Sequence, residues 1–215
     1  SQNGIWLHSI SLYNRITNNT VTNCNDGIEL ESSSNYNNIS LNKVKDSDNN
    51  CINLGTNVQH TRIFNNTLQA SPRGIFIYQC PSNEVYFNNI SSCTSSAIDI
   101  RSSSDNKVYK NVLSDNGISS NGIYIRSGSN NNEIYNNDLS RNGARGILIS
   151  ASDYNKIINN TLYGGTAQDY GVEFMSGSEY NFIQNNTIES HRYYAIYIRT
   201  GCSHNILSDN LINLT

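Results

Sequence analysis

The sequence is poor in the residues that usually announce a function. It has one Met, one Trp, two Pro and a charged fraction of 14%, with a formal net charge of −3. That balance supplies no basic stripe for nucleic acid. No apolar run approaches the roughly 18 residues that a membrane-spanning helix needs, so no membrane insertion is expected. The five cysteines, Cys24, Cys51, Cys80, Cys93 and Cys202, show no C-x-x-C spacing, which argues against zinc. They read as small buried or half-buried thiols. Nor is there a Ser-His-Asp set, an HExxH, a P-loop, a dinucleotide fingerprint or the glycine-rich calcium nonapeptide. No cofactor is therefore implied, although an acidic patch described below could take calcium.

What the chain has instead is an abundance of asparagine, and it recurs in register. One mark falls at Asn19, Asn42, Asn66, Asn88, Asn111, Asn137, Asn160, Asn186 and Asn210, in nearly equal steps. Five positions upstream lies a second mark, Asn in eight of nine units and Thr61 in the other. Each unit also carries G-I-x-I or a variant, such as GIEL from Gly27, GIFI from Gly74 and AIDI from Ala97. Alternation of β-branched and polar residues is a strand signal. Each unit thus reads as three short strands, one in G-I-x-I and one after each Asn mark. The N-x-S/T sequons at Asn18, Asn38, Asn65, Asn89, Asn159, Asn185 and Asn213 arise mostly from this repeat and say little about glycosylation.

Three strands per repeat of about 24 residues, each pairing with its copy in the next repeat, predict an all-β, right-handed parallel β-helix of about nine coils. A leucine-rich repeat would need more Leu and a helical convex side. Residues 1–215 are expected to form a single domain. The opening SQNGIWL already looks like repeat material, and the chain is expected to be a mature or excised piece of something larger. A tight bend leaves backbone groups unpaired, and a buried Asn amide supplies both donor and acceptor while tolerating a left-handed backbone. A further ladder is expected five positions after each G position, at Ser9, Ser32, Thr56, Gln79, Ser102, Ser127, Ala151, Ser176 and Thr200. Extra residues gather before G-I-x-I, in SDNGISSN after Leu113 and YGGTAQDY after Leu162, and should stand proud of the rod.

With the inward positions assigned, two outward columns remain on the first strand. One runs Trp6, Glu29, Asn53, Phe76, Asp99, Tyr124, Leu148, Glu173 and Tyr197; the other includes His8, Glu31, Tyr78, Arg101, Arg126, Met175 and Arg199. Aromatics stack on sugar rings and Arg grips carboxylate or sulfate, so the face suits an extended acidic polysaccharide. Trp6, Asn53, Phe76, Tyr78, Glu173, Tyr197, Arg199 and His191 are the binding candidates. Three clusters could carry chemistry. Glu29 and Glu31, with Asp26, Asp46 and Asp48 in adjoining turns, could divide acid and base duties, bind a cation, or be merely solvated. Asp99, Arg101, Tyr124 and Arg126 could neutralise a uronate and remove its α-proton, or form a plain surface pair. Arg101 and Arg126 should stack and repel unless an anion bridges them or Asp99 screens them. His191, in a turn near Tyr193, Tyr194, Tyr197 and Arg199, could shuttle protons or be simply exposed.

The units NKIINNTL with GILISAS, and NFIQNNTI with GVEFMSG, resemble the NosD/CASH family of right-handed β-helix repeats across essentially the whole chain. The Asn-rich style is also similar to archaeal surface proteins, including disaggregatase-type enzymes acting on matrix polysaccharide. The resemblance implies a carbohydrate-binding or sugar-cleaving domain, a hydrolase or lyase, whose substrate lies along the first strand. It also implies an extracellular or cell-surface location, beside further domains of a parent chain. The alternative is a non-catalytic glycan-binding or spacer module.

Overall fold

The computed structural model describes residues 2–165 and 168–214. Nine coils wind in a right-handed sense into three parallel sheets of nine strands, each coil giving one strand to each sheet. The first sheet is built from the G-I-x-I segments, such as Asp26–Leu30, Arg73–Tyr78, Ser96–Arg101, Asn121–Arg126 and Tyr170–Met175. The second and third sheets use three-residue strands that follow the two Asn marks, such as Lys107–Tyr109 and Val112–Ser114. Register is the expected one: Ile28 lies over Ile52, Ile75 and Ile98, and Val85 over Val108 and Ile134. These stacked branched side chains form one continuous, fully buried core. No helix in the described structure is long and apolar enough to cross a membrane. Cys51, Cys80 and Cys93 are free, buried thiols; burial pushes Cys51 up to about 11 and Cys80 to about 12.

The amide ladders explain why Asn is the repeated residue. Asn137 Oδ1 accepts from the backbone N–H of Asn111 (3.0 Å) and from its Nδ2 (3.0 Å). The Nδ2 of Asn137 in turn donates to Val108 O (2.9 Å) and to Asn160 Oδ1 (2.9 Å). One side chain thereby satisfies two backbone groups of the preceding coil and bonds the amide of the next, in a space closed to water. Thr61 cannot do this, and its buried Oγ1 has no partner.

Two expectations are corrected. The left-handed residue at each bend is the one before the ladder Asn, as at Phe87 (φ 55°), Lys110 (φ 55°) and Tyr154 (φ 58°). The Asn therefore contributes its amide, not its tolerance of positive φ; the bend is imposed on whatever precedes it, and the ladder bonds hold it there. The serine ladder is also displaced. Ser32, Ser102, Ser127 and Ser176 are exposed residues with positive φ. The buried hydroxyls belong to Ser34, Ser103, Ser129, Ser152 and Ser178. Ser103 Oγ, for example, donates to Arg101 O (2.7 Å) and accepts from Cys80 N (3.0 Å). A left-handed residue turns the chain, so the side chain that points inward arrives later than simple counting suggests.

Of the two long turns, the one after Leu113 carries the exposed Ile118 and is pinned by the Gly117 N–H donating to Cys93 O (2.7 Å). In the turn after Leu162, Thr166 and Ala167 lie outside the described residues.

Asn137→Ala should orphan several buried backbone groups at about 1–3 kcal/mol each, lowering stability by roughly 3–5 kcal/mol in urea denaturation. Ser103→Ala should cost about 1–2 kcal/mol. Ser102→Ala should stay within about 0.5 kcal/mol, which separates the buried column from the exposed one.

Candidate functional site

Strict alternation breaks at the G position of every first-sheet strand. Across the pair of strands Arg73–Tyr78 and Ser96–Arg101 the register joins Arg73 to Ser96 and Ile75 to Ile98, skipping Gly74 and Ala97. The G residue and the Ile after it both face the core. A Cβ on Gly74 would sit 2.3 Å from Ile90 Cγ2, and one on Gly27 2.2 Å from Val44 Cγ1, so only small residues fit this column. Two inward residues in succession shift the parity, as in a bulge. The residue before G therefore points outward, which adds a third column: Asp26, Asn50, Arg73, Ser96, Asn121, Arg145, Tyr170 and Tyr194. Period-two reading from the Ile positions turns these residues inward, and for that reason it misses Arg73 and Arg145. The signal that finds them is the run of Gly, Ala and Cys at one register position.

The two arginines change the character of the site. Asp99, on the outward side of the sheet as expected, is covered to 1% exposure. Arg73 Nε donates to its Oδ2 (3.0 Å), Arg126 Nε to its Oδ1 (3.0 Å) and Arg126 Nη2 to its Oδ2 (2.8 Å). Both oxygens are thus taken as acceptors, and the carboxylate is shielded from ligand. Glu173 repeats the arrangement at 0% exposure, with Arg145 Nε at 2.6 Å and Arg199 Nε at 2.5 Å. A carboxylate can be buried so fully because each has two cationic donors. Burial opposes the charge on Arg126, but Asp99, with Tyr124 adding, outweighs it and raises the Arg126 pKa. The bond to Glu173 raises that of Arg199.

Arg101 and Arg126 are register partners. Arg126 lies over Tyr124 (4.8 Å to the ring centre) and is bonded by Asp99, while Arg101 packs over Tyr78 (5.5 Å), so Asp99 screens the pair, one of the two expected alternatives. Arg73 over Phe76 (4.8 Å), Arg145 over Tyr170 (5.8 Å) and Arg199 over Tyr197 (5.1 Å) complete a ridge in which every arginine packs on an aromatic ring. Leu148, also expected to face solvent, is buried at 4% exposure between the two clamped carboxylates.

At the other end the face is acidic. Glu29 accepts from Asn53 Nδ2 (2.8 Å) and from Asn3 Nδ2, and the same Asn53 nitrogen reaches Asp26 Oδ2 (3.2 Å). Burial, then repulsion from Asp26 and Glu31, raises the pKa of Glu29. Glu31 lies 3.4 Å from His8 Nε2, and the His8 ring packs on Trp6, which is 55% exposed. Asp46 pairs with Lys45 (3.1 Å) in its turn. Among the described residues no group of three or more His, Cys, Asp or Glu converges as a metal site.

His191 is not the exposed turn residue that its neighbours suggested. It is 7% exposed and ends a buried ladder running through Asn116, Asn142 and Gln168, its Nε2 lying 3.1 Å from Gln168 Nε2. Its Nδ1 has no partner. Desolvation lowers its pKa to about 4, so the ring is neutral and plays a structural part. Tyr170, Tyr194 and Tyr197 gather beside it as an aromatic cluster, with ring centres 5.2–6.1 Å apart.

The family described as right-handed β-helix region matches residues 54–212. Among solved structures, the chain is similar to the periplasmic alginate epimerase AlgG, with a TM-score of 0.82 at 15% identity, covering 94% of this chain and 50% of that one. It is similar to the A-module of the Azotobacter vinelandii mannuronan C-5 epimerase AlgE6, with a TM-score of 0.81 at 14% identity, covering 94% and 58%. It is also similar to the DFA-IIIase of Arthrobacter chlorophenolicus, with a TM-score of 0.68 at 17% identity, covering 93% and 59%. The chain spans between half and three fifths of the length of these structures, and at such identities the likeness is one of fold. No curated protein matches in sequence.

Because folding lowers the His191 pKa from 6.5 to about 4, its contribution to stability is complete above pH 6.5 and is lost as pH falls toward 4. The loss should reach up to about 3 kcal/mol. His191→Gln, which continues the amide ladder, should remove this acid sensitivity in denaturation curves measured between pH 7 and pH 4.

Proposed function

The chain belongs to the right-handed β-helix family, and from that premise we propose that it binds an extended acidic polysaccharide along the outer face of the first sheet and cleaves it there. The observation that carries the proposal is the ridge. Arg73, Arg101, Arg126, Arg145 and Arg199, five of the nine arginines, share one face, and each packs on an aromatic ring. Rings held this way present faces and edges to sugars, and the guanidinium groups meet carboxylate or sulfate. The names of the similar structures, an alginate epimerase and a mannuronan epimerase, agree with a uronate polymer.

The chemistry that suits the centre is elimination. Asp99 is occupied by Arg73 and Arg126, so it serves to position them. Arg101 and Arg126 would neutralise a uronate carboxylate, which makes the adjacent C–H acidic. Tyr124, beside Arg126, would take that proton in its ionised form and pass it to the glycosidic oxygen as the C–O bond at the β-carbon breaks, leaving an unsaturated sugar and a protonated leaving group. A second reading rests on Glu29: its raised pKa favours the protonated form an acid catalyst needs, with Glu31 as the second carboxylate of a hydrolase. Phe76, Tyr78, Asn53, Trp6, Tyr197 and Arg199 would bind flanking sugars. The domain would work outside the cell or at its surface, among other domains of a parent chain, in keeping with NosD/CASH repeats and archaeal matrix-degrading proteins.

Incubation with alginate and other polyuronates should give an ultraviolet-absorbing unsaturated product. Tyr124→Phe should reduce its rate about 100-fold or more while binding persists. New reducing ends without unsaturation, abolished by Glu29→Gln, would assign hydrolysis instead. Retained binding with no new ends at all would make this a binding module.

A further inference from the structure

We propose that the two arginine-clamped carboxylates mark two matched anion subsites, three coils apart, that recognise an acidic oligosaccharide by the spacing of its charges. This rests on the polysaccharide reading above and adds to it a minimum ligand length and the residues that set it.

The two clamps are copies of one constellation. Asp99 and Glu173 occupy the same outward column, separated in register by Tyr124 and Leu148. Each is gripped by an arginine of the preceding coil at the position before G, Arg73 or Arg145. Each is also gripped by an arginine of the following coil at the position after G-I-x-I, Arg126 or Arg199. Three coil steps at the spacing of paired strands put the two centres about 14 Å apart. Two cations around one anion leave a surplus positive charge at each centre. Arg73, Arg145 and Arg199 bond their carboxylates through Nε alone. Their terminal nitrogens make no hydrogen bond among the described residues, and the side chains keep 28%, 27% and 40% exposure. The buried carboxylate therefore fixes each guanidinium and leaves its outer edge for a second anion.

The column between the clamps carries unpaired polar atoms beneath the surface. Ser96 and Asn121 fill the column between Arg73 and Arg145, are 1% and 7% exposed, and carry Oγ and Oδ1 atoms with no partner. Buried polar atoms without partners are rare in folded chains. Asp26, Glu29 and Glu31 at the other end would repel a polyanion, so its charges lie over the arginine-bearing coils.

The test is calorimetric binding of oligouronates of increasing length to the full chain, beside carboxyl-reduced and sulfated oligomers of matched length. The affinity should step up by about 100-fold once an oligomer spans both subsites, because the second contact becomes intramolecular. Arg145→Gln and, independently, Arg199→Gln should remove the step while leaving short oligomers within about two-fold of wild type, as expected when one of two equivalent sites is lost. Arg62→Gln, on the second sheet, should keep it, and melting curves confirm that each variant is folded. A step shown by sulfated oligomers as well would support the pairing with anions in general. A smooth, charge-dependent rise with length, or a step that survives both variants, overturns the pairing alone. Equal binding of carboxyl-reduced oligomers, or no binding of any probe, overturns the acidic-polysaccharide reading itself.

Discussion

The rod depends on the buried amide ladders that line two of the three corners of its coils. A chain turned through three corners in every coil leaves peptide groups facing a dry interior at each corner, and such groups must find partners. Asparagine has a donor and an acceptor on a side chain short enough to reach the next coil. Stacked along the axis, as in Asn88, Asn111 and Asn137, the amides bond to each other and to backbone of the preceding coil. That network also stabilises the residues that enter each bend with a left-handed backbone, whatever their chemistry: the aromatic Phe87 and Tyr154 and the cationic Lys110 share it alike.

A regular ladder makes a regular surface, and regularity is what the candidate site uses. Because each coil repeats the last, any side chain placed outward is repeated at the spacing of paired strands. The chain exploits this on the first sheet, where a parity break at the small-residue column sends an additional set of side chains outward. Arg73 and Arg145 thereby reach the carboxylates of the next coil, and the following coils close the clamps with Arg126 and Arg199. Each carboxylate is buried in its cluster, and the arginines it holds are the groups left at the surface. The acidic end, where Glu29 has a raised pKa, is chemically a different place on the same sheet.

The fold was legible in the sequence because its cause is periodic: a ladder that must be continuous writes the same residue at the same offset in every coil. The core stacks of Ile28, Ile52 and Ile75 followed from that register. The site was legible only in part. Asp99, Tyr124, Arg126, Glu173 and Arg199 were placed on the correct face, but the burial of Asp99 and Glu173 was not foreseen. Burial there depends on long arginine side chains from neighbouring coils folding over them, and alternation along a strand does not describe that. Arg73 and Arg145 were missed because two successive inward residues shift the count by one. His191 was misread because its neighbours in sequence, Arg192, Tyr193 and Tyr194, are polar or exposed, whereas its partners in space are Gln168 and the ladder beneath it.

The sequence by itself determined the architecture: nine coils, three sheets, which residues stack in the core, and which face carries arginine and aromatic side chains. Those follow from a short repeat whose energetic logic is local and identical in every coil. Only the tertiary structure decided which charges are free. Whether an arginine meets a ligand or a buried carboxylate, and whether a histidine titrates or stays neutral, depends on side chains brought together from successive coils, a full repeat apart along the chain. At that range a difference of one position in parity decides whether a charge is buried or exposed.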